Sequence, residues 1–369
     1  MIELESDQLV FSFPEVHPDA VLRINFQRTL RLPDDGRTYP LPPGLGRFPI
    51  VHVDDYAQNV PERWSDHGGV IIPMFQAEAM WVYFDPQYSQ ARNASYPFAV
   101  KIYTGKINAV TGERFKNGLH DDDQDYLAVP GQPWLDGYCV SKGTIRQFVA
   151  APLGQGFTAE EQITGEAEWG GMQIVVYPMK ASEYEARFPV IARKRAEMPG
   201  GSWGAASPMM AQMVTGGFLS MEMGLAPGGK MHQEIFEDKF PLKVYDRSER
   251  SRCFVHITNS IMWKAVTGKN PPSKPPTAAQ YTQYGLPWFD YYDDDLEALS
   301  GSPILKSLKS LFSQKHGKNV VRSKRIEDDD EDDYEDDEFP RNRKIVVKKL
   351  TKHNLHKTVR EGDFWEESV

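Results

Sequence analysis

The chain contains 369 residues, 40% of them hydrophobic and 12% aromatic, so it is long and apolar enough to bury a sizeable core. Its formal net charge is −10, and the almost wholly acidic run from Glu327 to Glu338 accounts for that excess. The rest of the chain is close to neutral, which argues against a nucleic-acid-binding body.

The amino-terminal residues lack the basic region and the apolar core of a signal peptide. The two most apolar stretches, Val70–Phe84 and Pro208–Leu225, are interrupted by polar residues and predict no membrane span. Cys139 and Cys253 match no metal-ligand or redox spacing, which favours two free thiols over a disulfide. We therefore expect a soluble, cytoplasmic protein without a cofactor.

Residues 1–180 are predicted to form a β-rich domain. Apolar and β-branched runs alternate with turn residues at fairly regular spacing, which favours an antiparallel sandwich or barrel over alternating strands and helices. The proline- and glycine-rich stretch Leu32–Pro49 predicts an extended wrap rather than a sheet strand. The predicted strands are Leu9–Phe13, Val21–Phe26, Val70–Phe84, Phe98–Thr104, Lys106–Val110, Tyr126–Val129, Gly137–Val140, Thr144–Ala151 and Met172–Tyr177.

Residues 181–313 are predicted to be helical and irregular, packed on the β-rich part or continuous with it. Arg252–Val266 gives the clearest helix, because an apolar stripe runs from Phe254 to Ala265 and Gly268 supplies a stop. The other predicted helices are Ser182–Glu197 broken at Pro189, Pro208–Met223 interrupted at Gly216-Gly217, Thr277–Tyr284, and one beginning at Ser302-Pro303. The predicted fold class is α+β, mainly an antiparallel sandwich or barrel with helices in the C-terminal half.

Residues 314–369 form a tail of alternating charge blocks. Lys315–Arg325 is basic, Glu327–Glu338 acidic and Arg341–Lys357 basic again. Blocks of like charge repel one another and bury little apolar surface, so they predict a disordered tail that can be removed without loss of the fold. The alternative is an electrostatic arm that docks on a partner or folds the acidic block back onto the basic ones.

Four segments of the chain carry distinctive residue strings. They are Gly69–Trp81, Gln132–Gly137 (QPWLDG), Ile145–Gly154 (IRQFVAAPLG) and Tyr284–Tyr292 (YGLPWFDYY). These strings resemble those of a widespread family of uncharacterised bacterial proteins of unknown function, over about residues 40–300. The resemblance implies no particular activity. The aromatic string Tyr284–Tyr292 predicts a strap that packs on the body or recognises a partner.

Glu78 and Lys101 are each the lone charge in an otherwise apolar predicted strand. A buried charge is costly unless it is paired, so two neighbouring strands would bring these residues together as an ion pair facing a pocket. A lysine in such a pocket would have a lowered pKa. The alternative is that both side chains face solvent from the wet side of an antiparallel sheet.

Further polar groups could converge on the same pocket. Gln132 and Asp136 flank Trp134, and Arg146 and Gln147 follow in the next predicted strand. Aspartate before glycine is also a common turn signal, which is the alternative for Asp136. We treat all four residues, together with Glu78 and Lys101, as candidate ligand-binding residues.

The segment after Pro152 predicts a glycine loop that opens onto a helix. Thr158 and Glu161 have the spacing of a capping box, and Gly154 and Gly156 precede them. Exposed backbone N–H groups at such a place favour an anion, so Gly154, Gly156 and Thr158 are candidate anion-binding residues. The alternative is a tight turn before a well-capped short helix.

Two clusters contain residue types that bind metals. One is Asp66 with His67 before a glycine pair, and the other is an acidic turn that contains Asp121, Asp123 and Asp125. Carboxylates of this turn could bind Ca²⁺, but the turn lacks the glycine and terminal glutamate of an EF-hand loop. A solvated acidic turn is the favoured interpretation, no zinc-ligand spacing is present, and we predict no metal site.

Two functional hypotheses remain from the sequence. The favoured one is a non-enzymatic binding or assembly protein with an unknown protein partner, since aromatic segments, a neutral body and a charged arm suit that role. The other is an enzyme, or a protein that binds a small anionic ligand, with a pocket around Glu78, Lys101, Asp136 and Arg146. Neither a nucleic acid nor a membrane is indicated as a partner, and there is no nucleophile elbow or other catalytic signature.

Overall fold

The computed structural model describes residues 1–42, 44–121, 123–191, 222–274, 302–309 and 358–361. Eighteen strands within these ranges hydrogen-bond into one curled sheet that forms a half-barrel, and a separate hairpin adds two more. Most strand pairs are antiparallel, as the sequence predicts. Some join strands that follow one another through a tight turn, and others join strands that are distant in the chain.

The strands are short, and they carry the labels β1 to β20 in chain order. They are β1 (Ile2–Glu5), β2 (Gln8–Ser12), β3 (Val21–Thr29), β4 (Thr38–Tyr39), β5 (Gly44–Arg47), β6 (Val51–His52), β7 (Val70–Pro73), β8 (Ala79–Pro86), β9 (Tyr88–Ser89), β10 (Ala94–Ser95), β11 (Phe98–Thr104), β12 (Ile107–Asn108), β13 (Leu127–Val129), β14 (Trp134–Leu135), β15 (Gly137–Ser141), β16 (Thr144–Pro152), β17 (Met172–Pro178), β18 (Glu222–His232), β19 (Ser251–Thr258) and β20 (Thr358–Val359).

The helices of the described residues are all short. They are α1 (Glu62–His67), α2 (Ala159–Thr164), α3 (Ala181–Arg187), α4 (Ser260–Thr267) and α5 (Pro303–Lys306), with 3₁₀ turns at Asp54–Tyr56 and Leu242–Val244. No helix in this part of the chain is both long and apolar enough to cross a membrane.

Along the sheet, neighbouring strands follow the order β20-β1-β2-β3-β8-β16-β18-β19-β17-β11-β13. The longest straight register joins β3 to β8, from Leu22 opposite Pro86 to Thr29 opposite Ala79. Two contacts are parallel, β19 with β7 and β18 with β4. The strand order places β1 beside β2 on one side and beside β20 on the other.

Three neighbouring strands of the sheet are covered on both faces. Every residue of β11, β17 and β19 is buried. Polar side chains on these strands, namely Lys101, Gln173 and Arg252, are therefore held inside the protein. On the outer face a smaller apolar cluster joins α1 to α4 through Trp64 and Trp263.

The predicted helix Arg252–Val266 is wrong in its first half. Residues 251–258 form β19, and only residues 260–267 form a helix, α4, whose Asn259 side chain caps its amino end. A strand buried on both faces shows no alternation, so its apolar residues imitate a helical stripe. The proline-rich wrap Leu32–Pro49 also differs from the prediction, since β4 and β5 pair with β18 and β3.

The other predicted helices are found only in part. Helix α3 overlaps the first part of Ser182–Glu197, and the helix that begins at Ser302-Pro303 is the single turn α5. Thr277–Tyr284, the aromatic string Tyr284–Tyr292 and residues 208–221 lie outside the described residues.

The tail is partly described, and this part corrects one expectation. Thr358–Val359 forms strand β20 on the edge of β1, so these residues are not a free tail. Apart from residues 358–361, residues 314–369 lie outside the described ranges. Cys139 and Cys253 are both buried free thiols, which confirms the prediction made from their spacing.

Candidate functional site

The predicted ion pair between Glu78 and Lys101 is wrong, although both side chains are buried. Glu78 instead binds the Arg28 guanidinium, with Oε1 at 2.7 Å from Nη2, and its Oε2 accepts the Phe75 N–H at 3.0 Å. Burial raises the pKa of Glu78, and the charge of Arg28 opposes that shift. The alternative, in which Glu78 faces solvent from one side of the sheet, is also wrong, because the Glu78 side chain is only 1% exposed.

Lys101 binds a different carboxylate. Its Nζ lies 2.6 Å from Asp125 Oδ2 and donates to the Gly118 carbonyl oxygen at 2.7 Å. Both carbonyl and carboxylate come from the acidic turn between β12 and β13. The lysine therefore fastens this turn to the middle of the sheet and leaves no charge free for a ligand.

Gln132 and Asp136 hold the segment that follows β18. Gln132 accepts the Phe236 N–H through Oε1 at 3.1 Å and donates to the Glu234 carbonyl oxygen at 3.2 Å. Asp136 accepts the Gln233 amide N–H at 3.0 Å through Oδ2. Burial raises the pKa of Asp136 to about 8, so this carboxyl is largely protonated at neutral pH.

Arg146 and Gln147 hold the segment that follows β3. Arg146 donates to the Gly228 carbonyl oxygen at 3.0 Å and lies 3.4 Å from Asp34 Oδ1. Gln147 donates to the Leu30 carbonyl oxygen at 2.8 Å, and it accepts an N–H from the same segment. The six candidate ligand-binding residues thus brace separate stretches of backbone instead of converging on a pocket.

The glycine loop before α2 already holds an anion, which is the carboxylate of Glu161. Glu161 Oε1 accepts the N–H groups of Gly154 and Gly156, each at 2.8 Å, and Oε2 accepts the Thr158 N–H at 3.1 Å. The Glu161 backbone N–H donates to Thr158 Oγ1 at 3.2 Å, so the predicted capping box is confirmed. The candidate anion site is therefore filled by the chain's own side chain.

Glu161→Ala should lower the free energy of unfolding by about 2–3 kcal/mol, because it leaves several backbone donors of the loop without an acceptor. Urea denaturation at pH 7 measures this loss. Glu166→Ala, at an exposed position just beyond α2, is the matched control and should stay within about 0.5 kcal/mol of the unaltered chain. Equal effects of the two changes would contradict the geometry of the loop.

The acidic turn does not gather its carboxylates around a cation. Asp125 is paired with Lys101, and Asp121 pairs with Arg247 at 2.9 Å on the surface. Asp123 is exposed. Within the described ranges, no group of three histidine, cysteine or acidic side chains is placed to hold a metal ion.

Residues 358–361, here called the docked segment, lie on the outer edge of the sheet. Strand β20 runs antiparallel to β1, with Val359 opposite Ile2 and Thr358 opposite Glu3. Val359 is only 2% exposed and joins the main core. The segment therefore completes the sheet as an added strand and buries an apolar side chain as it does so.

Arg360 fastens the docked segment to the end of α1. Its Nε and Nη2 donate to Asp54 Oδ1 at 3.1 and 2.8 Å, its Nη1 donates to the Asp66 carbonyl oxygen at 3.0 Å, and its Nη2 also reaches the Ser65 carbonyl oxygen. Carbonyls in the last turn of a helix lack partners within the helix. The partly exposed ion pair alone contributes about 0–1 kcal/mol, so the fork geometry of the guanidinium supplies the specificity.

Glu361 fastens the segment to the start of β19. Its Oε1 accepts the Ser251 hydroxyl at 2.8 Å, and its Oε2 accepts the Arg252 backbone N–H at 3.1 Å. Consecutive side chains of the segment thus point to different anchors, as they do in any extended strand.

A glycine pair lets the docked segment come close to α1. Gly68 has a φ of +65°, and a Cβ atom there would lie 2.8 Å from the Arg360 carbonyl oxygen. Gly69, with a φ of +84°, donates its N–H to the same oxygen at 3.1 Å. Asp66 and His67 carry residue types that bind metals, but the glycine pair that follows them serves a backbone contact with the docked segment.

The sequence did not identify the residues of this site. The only local signal is the β-branched pair Thr358-Val359 after a basic block, and the same signal occurs at Ile345–Val347. Asp54 lies in a short acidic turn with no distinguishing pattern.

A small cavity is lined by residues of α1, β17 and β19. Its volume is about 10 Å³, and Gln173 and His67 are among its lining residues. Gln173 is fully buried, and neither atom of its amide has a hydrogen-bond partner within the described residues. A cavity of this size holds about one water molecule, whereas ligand pockets measure about 300–1,000 Å³.

Two histidines border this cavity, and both are neutral at pH 7. Burial lowers the pKa of His256 to about 3, and burial together with the Arg252 charge lowers the pKa of His67. His256 Nε2 donates to the Gly68 carbonyl oxygen at 3.0 Å, and its ring stacks on Trp64 with centroids 4.4 Å apart. His256 is therefore a brace for the end of α1, since a base this weak is poorly suited to proton transfer near pH 7.

A larger, mostly apolar groove of about 300 Å³ lies between the turn after β13 and residues 236–240. Two acidic residues, Glu237 and Asp238, line it, and Asp238 Oδ2 accepts the hydroxyls of Tyr126 and Tyr245 at 3.0 and 2.7 Å. Asp238 Oδ1 accepts the Phe240 N–H at 2.9 Å. The groove thus offers apolar contact, but the Asp238 carboxylate is already used within the fold.

Comparison with known proteins finds no matching family model, no similar curated protein and no similar solved structure. The interpretation of function accordingly rests on the geometry of the chain itself. The most developed binding arrangement among the described residues is the edge of β1 with its three anchors, Asp54, the end of α1, and the start of β19.

Proposed function

We propose that this chain is a non-enzymatic binding protein that takes up an extended peptide segment as an added strand on the edge of β1. The observation that carries this proposal is the docked segment. Strand addition is a common mode of peptide recognition, in which backbone pairing gives affinity and the side chains give specificity. Here Val359 supplies the apolar contact, and Arg360 and Glu361 supply the polar ones.

The distance along the chain supports this proposal. Residues 310–357 separate the docked segment from the nearest described residue on its amino-terminal side. Among the described residues, the segment is held by β1, by the end of α1 and by the start of β19, all of them remote from it in sequence. Contacts of this kind with an extended backbone are the ones that strand addition uses to bind a peptide.

The alternative of an enzyme or an anionic-ligand protein has less support. Its pocket required Glu78, Lys101, Asp136 and Arg146 to face one another. Each of these four side chains is bound to a different part of the fold. The small cavity beside α1 does not replace that pocket, because it has room for about one water molecule.

The proposal is tested with the full-length chain carrying Val359→Asp and Arg360→Ala, here called the released variant. A labelled synthetic peptide of residues 354–366 should bind the released variant at least tenfold more tightly than it binds the unaltered chain. In the unaltered chain the segment competes with the added peptide as an intramolecular ligand. Fluorescence anisotropy gives both Kd values.

A scrambled peptide of the same composition is the control, and it should bind neither protein. Amide hydrogen exchange at Ile2 and Glu3, the residues that pair with β20, should rise in the released variant, which would show that the edge of β1 is open. Failure of the peptide to bind a folded released variant with an open edge would rule out the proposed function.

A further inference from the structure

We infer that the partner of the β1 edge is an extended protein segment in which an aliphatic residue is followed by arginine and then by an acidic residue. This inference rests on the proposed function and defines its ligand. The docked segment shows which features of such a ligand the site reads. Each of the three positions has its own anchor on the body.

The first position requires an aliphatic side chain. Val359 lies opposite Ile2 and is 2% exposed, so its side chain is removed from water by the body. A charged side chain there would be buried without a counter-ion. A β-branched side chain also suits the extended backbone of an edge strand.

The second position requires arginine rather than any cation. The guanidinium meets Asp54 through two nitrogens and the carbonyl oxygens of Ser65 and Asp66 through its other N–H groups. A lysine ammonium is a compact charge and cannot meet a carboxylate and two carbonyls in this fork geometry. The site therefore distinguishes arginine from lysine.

The third position requires an acceptor with two oxygens. The Ser251 hydroxyl and the Arg252 backbone N–H both point at the Glu361 carboxylate, one to each oxygen. Hydrogen bonds to an ionised acceptor are the stronger kind. A glutamine side chain has one acceptor oxygen where glutamate has two, so we expect a peptide with glutamine at this position to bind more weakly.

The ligand is an internal segment rather than a free chain end. The chain continues on both sides of the docked segment, at residues 357 and 362, so the site is open at both ends. Within this chain, an aliphatic residue directly followed by arginine and an acid occurs once, at Val359-Arg360-Glu361. The chain thus carries one copy of the pattern, and that copy occupies the site.

The test measures the Kd with which substituted peptides of residues 354–366 bind the full-length released variant. Relative to the unaltered peptide, Val359→Asp and Arg360→Lys should each raise Kd at least tenfold, and Glu361→Gln should raise it about threefold to tenfold. Isothermal titration calorimetry measures each Kd.

The body supplies a matched pair of changes. Asp54→Ala in the released variant should raise Kd about threefold to fivefold, whereas Asp55→Ala should leave it within twofold, since Asp55 forms none of these contacts. Arg360→Ala in the peptide should cost much less on the Asp54→Ala body than on the parent body, as a double-mutant cycle requires for a direct contact.

The outcomes separate the inference from the function on which it rests. If the unaltered peptide binds but all substitutions leave Kd within twofold, the sequence preference is wrong and the peptide-binding function stands. If Asp54→Ala and Asp55→Ala weaken binding equally, the arginine anchor is wrong. If the unaltered peptide does not bind at all, the proposed function fails as well.

Discussion

Asp125→Ala should lower the free energy of unfolding by about 3–5 kcal/mol, because it leaves the Lys101 ammonium buried without its counter-ion. The two side chains are 1% and 8% exposed, and their charged atoms are 2.6 Å apart. Burial lowers the pKa of Lys101 and raises the pKa of Asp125, and in each case the partner's charge opposes the shift. Urea denaturation at pH 7 measures the loss.

The control for this prediction is the exposed ion pair nearby. Glu113 and Lys116 are 2.8 Å apart, but both side chains are 45% exposed, so Glu113→Ala should cost no more than about 0.5 kcal/mol. Replacing both buried partners, Lys101→Met with Asp125→Leu, should recover most of the loss. A small effect of Asp125→Ala, equal to that of Glu113→Ala, would show that the buried pair does not form.

Asp136→Asn should become more stabilising relative to the unaltered chain as pH rises. The pKa of Asp136 is about 8, well above the ordinary value of 3.8, so the protonated carboxyl is favoured by folding. The protonated carboxyl makes its full contribution to the free energy of unfolding below about pH 4, and this contribution is lost progressively as pH rises towards 8. Between pH 5 and 7 the stability difference between variant and unaltered chain should shift by about 2–3 kcal/mol in favour of the variant.

Urea denaturation at pH 5, 6 and 7 gives this difference directly. Asp85→Asn is the same chemical change at an exposed position on β8, and its effect should differ by less than about 0.5 kcal/mol between pH 5 and 7. A constant difference for Asp136→Asn across this range would mean that the buried carboxyl remains ionised.

The sequence predicted the strands that carry a local pattern. Val21–Phe26 alternates apolar and polar residues and forms part of β3, and the apolar run Phe98–Thr104 is β11. The prediction from sequence failed at β19, where both faces are covered and the alternation that marks a strand is lost. Strand β18 was also missed, because its glycines and proline weaken any strand pattern.

The candidate site was predicted less well, for a related reason. Lone charges in apolar strands are paired when they are buried, and both Glu78 and Lys101 follow that rule. The identity of each partner depends on strand register, which places Arg28 opposite Met80, two residues from Glu78. No local pattern encodes a register between distant strands.

The docked segment shows the limit of composition as a guide. Charge blocks surround Thr358-Val359, and composition averages over such a window, so it predicts no order there. Order in these residues comes from contacts with Asp54, α1 and β19, all remote in sequence.

The pairing of β20 with β1 has a consequence for the order of folding during synthesis. Ile2 and Val359 lie near opposite ends of the sequence, and translation proceeds at about 5–20 residues per second. Residues 358–361 are therefore synthesised tens of seconds after β1, and about 5–20 s after the start of β19, which is one of the anchors of the docked segment. Until they are made, the edge of β1 that pairs with β20 is unpaired, and the proposed peptide ligand would meet it without an intramolecular competitor.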